Sequence, residues 1–183
     1  MSSKLLCLNP LKSEFLIIGL PKQIAKLQNP LLQMPGNVSL IPVKSARNLG
    51  FIFDSNVTLD DQISAVTKSC MYHIRDLKRI RKSLDVKTAG IIATSIIHSK
   101  LDYCNSLYYN LPSTRLHRLQ LIQNAAARAV KNLPKHDHIS PVLKSLHWLK
   151  VHERVQYKIL SLTYGALQFR QPTYMATSTV SSK

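Results

Sequence analysis

Apolar residues follow two different patterns along this chain, and the change comes near Asp54. Upstream, apolar runs are short. Residues 14–19 (EFLIIG) are rich in strand formers and end at Gly19 and Pro21, which predicts a short buried strand. Residues 20–44 hold Pro21, Pro30, Pro35 and Pro42 and a Pro35-Gly36-Asn37 turn signal. They read as a loop with a brief helix over 23–28 and a short strand near 38–41. Residues 46–54 (ARNLGFIFD) alternate Leu49, Phe51 and Phe53 with Gly50 and Ile52. That alternation predicts a second strand, antiparallel to the first in a small sheet.

Downstream, the period becomes helical. Thr58, with Asp60 and Asp61 just behind it, reads as a helix start with acids where the helix dipole favours them. Leu59, Ile63, Val66, Cys70, Ile74 and Leu77 carry that helix to about Lys82. Asp85 caps a second helix through Lys100, lined by Val86, Ala89, Ile92, Ile96 and Ile97. After a turn at Asn110-Leu111-Pro112, Ser113 caps a third helix to Leu133, with Leu116, Leu119, Ile122, Ala126, Ala129 and Leu133 on one face. Ser140-Pro141 opens a short fourth helix, with proline at the first helical position, and Trp148-Leu149 ends it. A fifth runs over 152–169, with Val155, Ile159, Leu162 and Leu167 as its apolar side. The expected class is α+β: a small antiparallel β piece over 1–56, a mainly α-helical body over 57–135 and 136–170, and a disordered Ser/Thr-rich tail over 171–183.

Charge sharpens this picture. Twenty-five Lys and Arg face nine Asp and Glu, a formal net charge of +16. Such a surface is tolerated when a polyanion neutralises it, with nucleic acid the first candidate and an anionic membrane surface the second. On the first long helix, Lys68, Arg75, Arg79 and Lys82 share one stripe, with Lys78 beside it. The third helix adds Arg115, Arg118, Arg128 and Lys131, and no acid occurs between Asp102 and Asp137. These nine residues are the candidate contacts to phosphates, which position a duplex without reading its sequence. The competing explanation for the first helix is a solvated C-terminus where cations suit the dipole. No window approaches the ~20 apolar residues of a membrane span. Cys7, Cys70 and Cys104 form no CxxC pair, and the first residues hold no signal-like apolar run. The expected setting is therefore intracellular, nuclear or cytoplasmic, not secreted.

Candidates for catalysis are weak. Adjacent aspartates can hold Mg²⁺, but Asp60-Asp61 sits at a helix start, not on a tight hairpin that would aim both carboxylates at one metal. His136, His138, His147 and His152 match no zinc spacing and read as loop and helix-edge residues. There is no nucleophile elbow and no glycine-rich phosphate loop. Tyr103, Tyr108 and Tyr109 could stack on bases but more often pack a helix junction. No metal or cofactor is expected.

The segments DYCNSLYYNLP (102–112), LQLIQNAAARAV (119–130), HISPVLKSLHWLKVHERVQYKIL (138–160) and LTYGAL (162–167) carry a resemblance, as do LNPLKSEFLIIG (8–19) and ARNLGFIFDSNVTLDDQI (46–63). In order and spacing they resemble the C-terminal region of the reverse transcriptase of non-LTR, LINE-type retrotransposons. The resemblance covers roughly residues 5–175. It implies that 1–56 is the end of a polymerase palm, that the helices from Thr58 form a thumb clamping the template–primer duplex, and that the helices from Ser140 follow the thumb. In that family a hairpin with two adjacent aspartates precedes the LNPLKSE-like segment, and this chain begins past it. Lys150 stands where Pro is common in HWLP, and Gly165 where Lys is common. The resemblance thus implies a truncated, catalytically inactive derivative that binds nucleic acid at most. The alternatives are a structural or protein-interaction helical module, and a fragment of an RNA-directed DNA polymerase active only with its missing part. Partners would be a nucleic-acid backbone, the missing polymerase portion or a second copy, and not a membrane.

Overall fold

The computed structural model describes residues 9–34 and 37–169. The tail expected over 171–183, the Pro35-Gly36 part of the turn signal and Cys7 lie outside the described residues. The fold is mixed α+β and mainly helical. The chain divides into two compact units, Met1–Ser64 and Ala65–Lys183, so the division falls inside the first long helix.

In the first unit the strands are β1 (Phe15–Leu16), β2 (Leu32–Met34), β3 (Val38–Leu40), β4 (Pro42–Val43), β5 (Ser45–Asn48) and β6 (Phe51–Asp54). A single turn of helix, α1 (Pro21–Ile24), follows β1. The expected antiparallel pairing of 14–19 with 46–54 does not occur. Residues 46–54 fold back on themselves instead: β5 and β6 form a hairpin, with Ala46 opposite Phe53 and Asn48 opposite Phe51. Its turn is Leu49-Gly50, both at positive φ (49° and 87°). Paired positive φ values match the twist of a two-residue hairpin, and glycine supplies one of them without strain. Leu49 is consequently an exposed turn tip and not a strand residue. Strand β1 pairs in parallel with β4, and β2 pairs antiparallel with β3. The Glu14 carboxylate holds β1 near β5 by accepting the Arg47 N–H at 3.1 Å.

The hairpin leads into α2 (Asp60–Ile80) through a strained loop. Val57 and Leu59 both have positive φ (53° and 58°), which is uncommon for any residue but glycine and rarest for a β-branched one such as Val57. Asp54 stabilises this loop: its carboxylate accepts the N–H groups of Asn56, Thr58 and Leu59 at 3.1, 2.9 and 2.6 Å. Burial alone would raise the Asp54 carboxyl, but the Thr58 and Leu59 N–H groups, the Thr58 hydroxyl and the Asn56 N–H hold it below the ordinary carboxylate range. Thr58 makes a long contact to the Asp60 N–H, 3.4 Å, while Asp54 fixes the loop just ahead of the helix. Asp60 and Asp61 occupy the first turn of α2.

In the second unit, α3 (Val86–Ala93) begins at Asp85, whose carboxylate accepts the Lys87 and Thr88 N–H groups. It runs without a break through a π-helical turn (Thr94–His98) into α4 (Ser99–Asp102). The expected apolar face of this segment is corrected. Val86 and Ile96 are exposed, and the buried residues are Ala89, Ala93, Ile97, His98 and Leu101. The i→i+5 bonding of a π turn carries His98 onto the face that Ala93 occupies.

Helix α5 (Ser113–Lys131) begins after Pro112. Ser113 is its first helical residue and not its cap, and the Pro112 carbonyl accepts the Arg115 and Leu116 N–H groups. Leu119, Ile122, Ala126 and Ala129 are buried on one face, as their spacing predicts. Asn132 ends the helix in the left-handed conformation. Helix α6 (Ile139–Ser145) contains Pro141 as its third residue, not its first, still within the turn whose N–H groups have no intrahelical acceptor. Helix α7 (Val151–Phe169) starts with half a capping box, the Lys150 N–H donating to the Glu153 carboxylate at 2.7 Å. Only Val151 and Val155 are buried on it. The expected contribution of Leu162 and Leu167 fails, since both are exposed.

Candidate nucleic-acid interface

Helix α2 is divided lengthwise. Ile63, Val66, Cys70, Ile74 and Leu77 are buried, as the period predicts. Lys68, Arg75, Lys78 and Arg79 are exposed. Lys82 is also exposed but lies in the 3-10 turn Arg81–Ser83 that follows the helix, so the stripe extends past α2 on a different winding. Arg79 is partly spoken for, meeting Asp76 at 3.2 Å in an exposed i,i+3 pair of small worth. The buried face also makes the Cys70 thiol inert: burial pushes it up to about 11 despite nearby Lys100.

Arg81, absent from the sequence-derived set, has a structural role. Its Nε donates to the Val130 carbonyl at 2.7 Å and its guanidinium also donates to Leu84 O at 2.6 Å, tying the end of α2 to the end of α5. Arg81→Ala is expected to lower the unfolding free energy of the helical unit by about 2 kcal/mol, because the Val130 carbonyl loses its charged donor. Lys78→Ala and Lys82→Ala should each stay within about 0.5 kcal/mol. Urea unfolding followed by circular dichroism checks this contrast, and equal effects for the three would refute the structural role of Arg81.

On α5 the four candidates do not form one patch. Arg115 (half-buried) and Arg118 (exposed) lie in the first turns, whereas Arg128 and Lys131, both half-buried, lie in the last. At about 1.5 Å per residue the two pairs stand roughly 20 Å apart. Arg128 donates to the Asp137 carbonyl at 3.2 Å, and its Nε is buried with no partner among the described residues. It is therefore partly committed to holding the chain after α5. Lys131 lines a groove together with Lys87.

The aromatic knot separates as well. Tyr108 is fully buried at the helix junction, while Tyr103 and Tyr109 are exposed. His136, His138, His147 and His152 are all exposed. Among the described residues no group of three or more His, Cys, Asp or Glu is placed to hold a metal ion.

A buried polar cluster at the helix junction was not singled out by spacing or motif. His98 is buried on the π turn, with its ring edge-on to Trp148 at 4.2 Å and 62°. Gln123, fully buried on α5, donates to the Leu149 carbonyl at 2.8 Å, and its Nε2 lies 3.5 Å from His98 Nε2. Gln120 donates to the Gln123 side-chain oxygen at 2.9 Å and accepts the Val151 N–H at 2.8 Å. Arg154 grips Asp102 in a two-pronged ion pair, with Nε–Oδ1 at 2.8 Å. Burial, then the positive charge of Arg154, pushes His98 down to about 4, against a smaller upward pull from Asp102. The imidazole is neutral at pH 7 and belongs to the architecture of the junction. No helix among the described residues is long and apolar enough to cross a membrane.

Neither a family model nor a curated protein nor a solved structure matches this chain.

Proposed function

We propose that the chain is a sequence-independent nucleic-acid-binding module without polymerase chemistry of its own, holding a template–primer duplex through phosphate contacts. The observation that carries this reading is the row of exposed cations Lys68, Arg75, Lys78 and Arg79 on α2, opposite a buried apolar face. Lys82 extends the row, and Arg115 and Arg118 offer a second, separate set. Arg128 and Lys131 are weaker contributors because they are half-buried. The net charge of +16 supplies the long-range attraction, and the resemblance to the reverse transcriptases of LINE-type elements supplies the choice of duplex. Asp60-Asp61 stands at a helix start, so it offers no hairpin carboxylate pair for Mg²⁺.

Fluorescence anisotropy with a labelled RNA–DNA duplex tests the reading. Binding should weaken at least ~100-fold between ~50 and ~200 mM salt, since each neutralised phosphate releases counterions. The triple variant Lys68→Glu, Arg75→Glu, Lys78→Glu should lower affinity by a further order of magnitude and flatten the salt slope. Absence of binding at low salt, or affinity indifferent to salt, would sink the clamp. Primer extension by the chain alone with Mg²⁺ would overturn the inactivity.

A second reading, a helical protein-interaction module, is favoured by one observation. Past Lys158, α7 has no charged residue up to Phe169, and Leu160, Leu162, Tyr164, Leu167 and Phe169 are all exposed. Concentration-dependent sedimentation together with no duplex binding would select it.

A further inference from the structure

The helical unit carries a groove of about 580 Å³ that the α2 row does not touch. One wall is α3 and its π turn, from Val86 to Ser95, and the other is formed by Lys131, Ser145, Leu146 and Trp148. Its volume lies in the range of sites for small ligands, ~300–1,000 Å³, which suits roughly one nucleotide and not a duplex. Lys87 and Lys131 are its cations, and no Asp or Glu lines it. Its apolar surface comes from Val86, Ile91 and Leu146, and its aromatic surface from Trp148.

Three hydroxyl residues line it, Thr94, Ser95 and Ser145, and two of them are already bonded. Thr94 donates to the Gly90 carbonyl at 2.8 Å, and Ser145 donates to the Val142 carbonyl at 2.9 Å. Their protons are used within their own helices, so each oxygen is left as an acceptor. An incoming anionic group is therefore met by the two ammoniums, and an incoming N–H or ribose O–H by the hydroxyl oxygens. An indole beside two lysines, with acceptors opposite, fits a phosphate joined to a planar base. An acidic peptide could also satisfy the lysines and the acceptors through its carboxylates and backbone N–H groups, so what favours a nucleotide is the indole, on which a planar base stacks.

We propose that this groove binds single-stranded nucleic acid, seating a phosphate at Lys87 and Lys131 and a base against Trp148. The proposal rests on the nucleic-acid reading of the chain and adds a single-strand site apart from the duplex-facing row. Trp148 is the sole tryptophan, so its emission reports on the groove directly.

The experiment titrates the full chain with a short oligodeoxythymidylate while recording Trp148 emission, beside duplex anisotropy. The expected result is saturable quenching of Trp148, as base–aromatic stacking requires, with no quenching by inorganic phosphate alone. Lys87→Glu, at an exposed position in the first turn of α3, should weaken the oligonucleotide midpoint several-fold, and Lys87→Glu with Lys131→Glu at least tenfold. The Lys68→Glu, Arg75→Glu, Lys78→Glu variant should leave quenching in place while duplex binding falls. Circular dichroism confirms that each variant is folded, and the single Lys87→Glu variant carries the test if the double one is not. Duplex binding without quenching overturns the groove and spares the duplex clamp. Quenching without duplex binding overturns the clamp and keeps the groove. Equal quenching by polyglutamate overturns the nucleotide assignment.

Discussion

Through His98 alone, lowering the pH from 7 to 4 is expected to remove roughly 3 kcal/mol of stability from the helical unit. The imidazole is buried beside Trp148 and Gln123, and burial together with the Arg154 charge pushes it down to about 4. In the unfolded chain it titrates near 6.5. Between those two values the unfolded state binds a proton that the folded state refuses. Stability is therefore fully present above about 6.5, falls as pH drops through this window, and levels off for this group below about 4. The Asp102 carboxylate softens the effect but is already engaged by Arg154. Urea midpoints at pH 7, 5.5 and 4.5, followed by circular dichroism, measure the slope. His98→Gln keeps a polar, non-titrating group at the site and should flatten the slope between pH 6.5 and 4.5. A wild-type midpoint that does not move in this window, or a variant with the same slope, rules out His98 as the source.

The long amphipathic helices were the legible part of the sequence. On α2 and α5 a single period of three and four separates buried from exposed positions, and the burial of Ile63, Cys70, Ile74, Leu119, Ile122 and Ala126 follows it. Legibility failed where local geometry breaks the period. The hairpin at Leu49-Gly50 looked like continuous alternation because a two-residue turn preserves the parity of the residues around it. In the segment Val86 to Asp102, a π turn shifts the face by about one residue, and His98 enters the core while Ile96 leaves it. No sequence signal marks that turn. On α7 the apolar period continues past the last partner, so Leu162 and Leu167 fit the pattern and are nevertheless exposed.

The candidate interface was legible in composition and less so in assignment. Charge and spacing bring out Lys68, Arg75, Lys78, Arg79 and Lys82 and leave Arg81 aside, but they do not show what Arg81 does. Only the reach of the Arg81 guanidinium to the Val130 and Leu84 carbonyls distinguishes it. The groove beside Trp148 was invisible for a different reason. Its cations, Lys87 and Lys131, lie on separate helices and meet only through tertiary packing.

Replacing Gln123 by leucine should cost the helical unit about 2–3 kcal/mol, although the two side chains are close in size and leucine is the better helix former. Gln123 is fully buried and engages three neighbours at once: the Leu149 carbonyl, the Gln120 amide and the His98 ring. The first of these fixes the connection between α6 and α7, and Gln120 continues it by accepting the first N–H of α7, that of Val151. With leucine at 123 the Leu149 carbonyl loses its donor, the Gln120 amide loses one of its two acceptors, and His98 faces hydrocarbon. Gln120→Ala, at a half-buried position, should cost only about 1 kcal/mol, and the double variant less than the sum, because the two amides act as one network. Trp148 immediately precedes Leu149, so Gln123→Leu should also change the Trp148 emission spectrum in the folded state and weaken any response to oligonucleotide. A loss below about 0.5 kcal/mol, with unchanged emission, would mean that the α6–α7 junction is held by apolar packing alone.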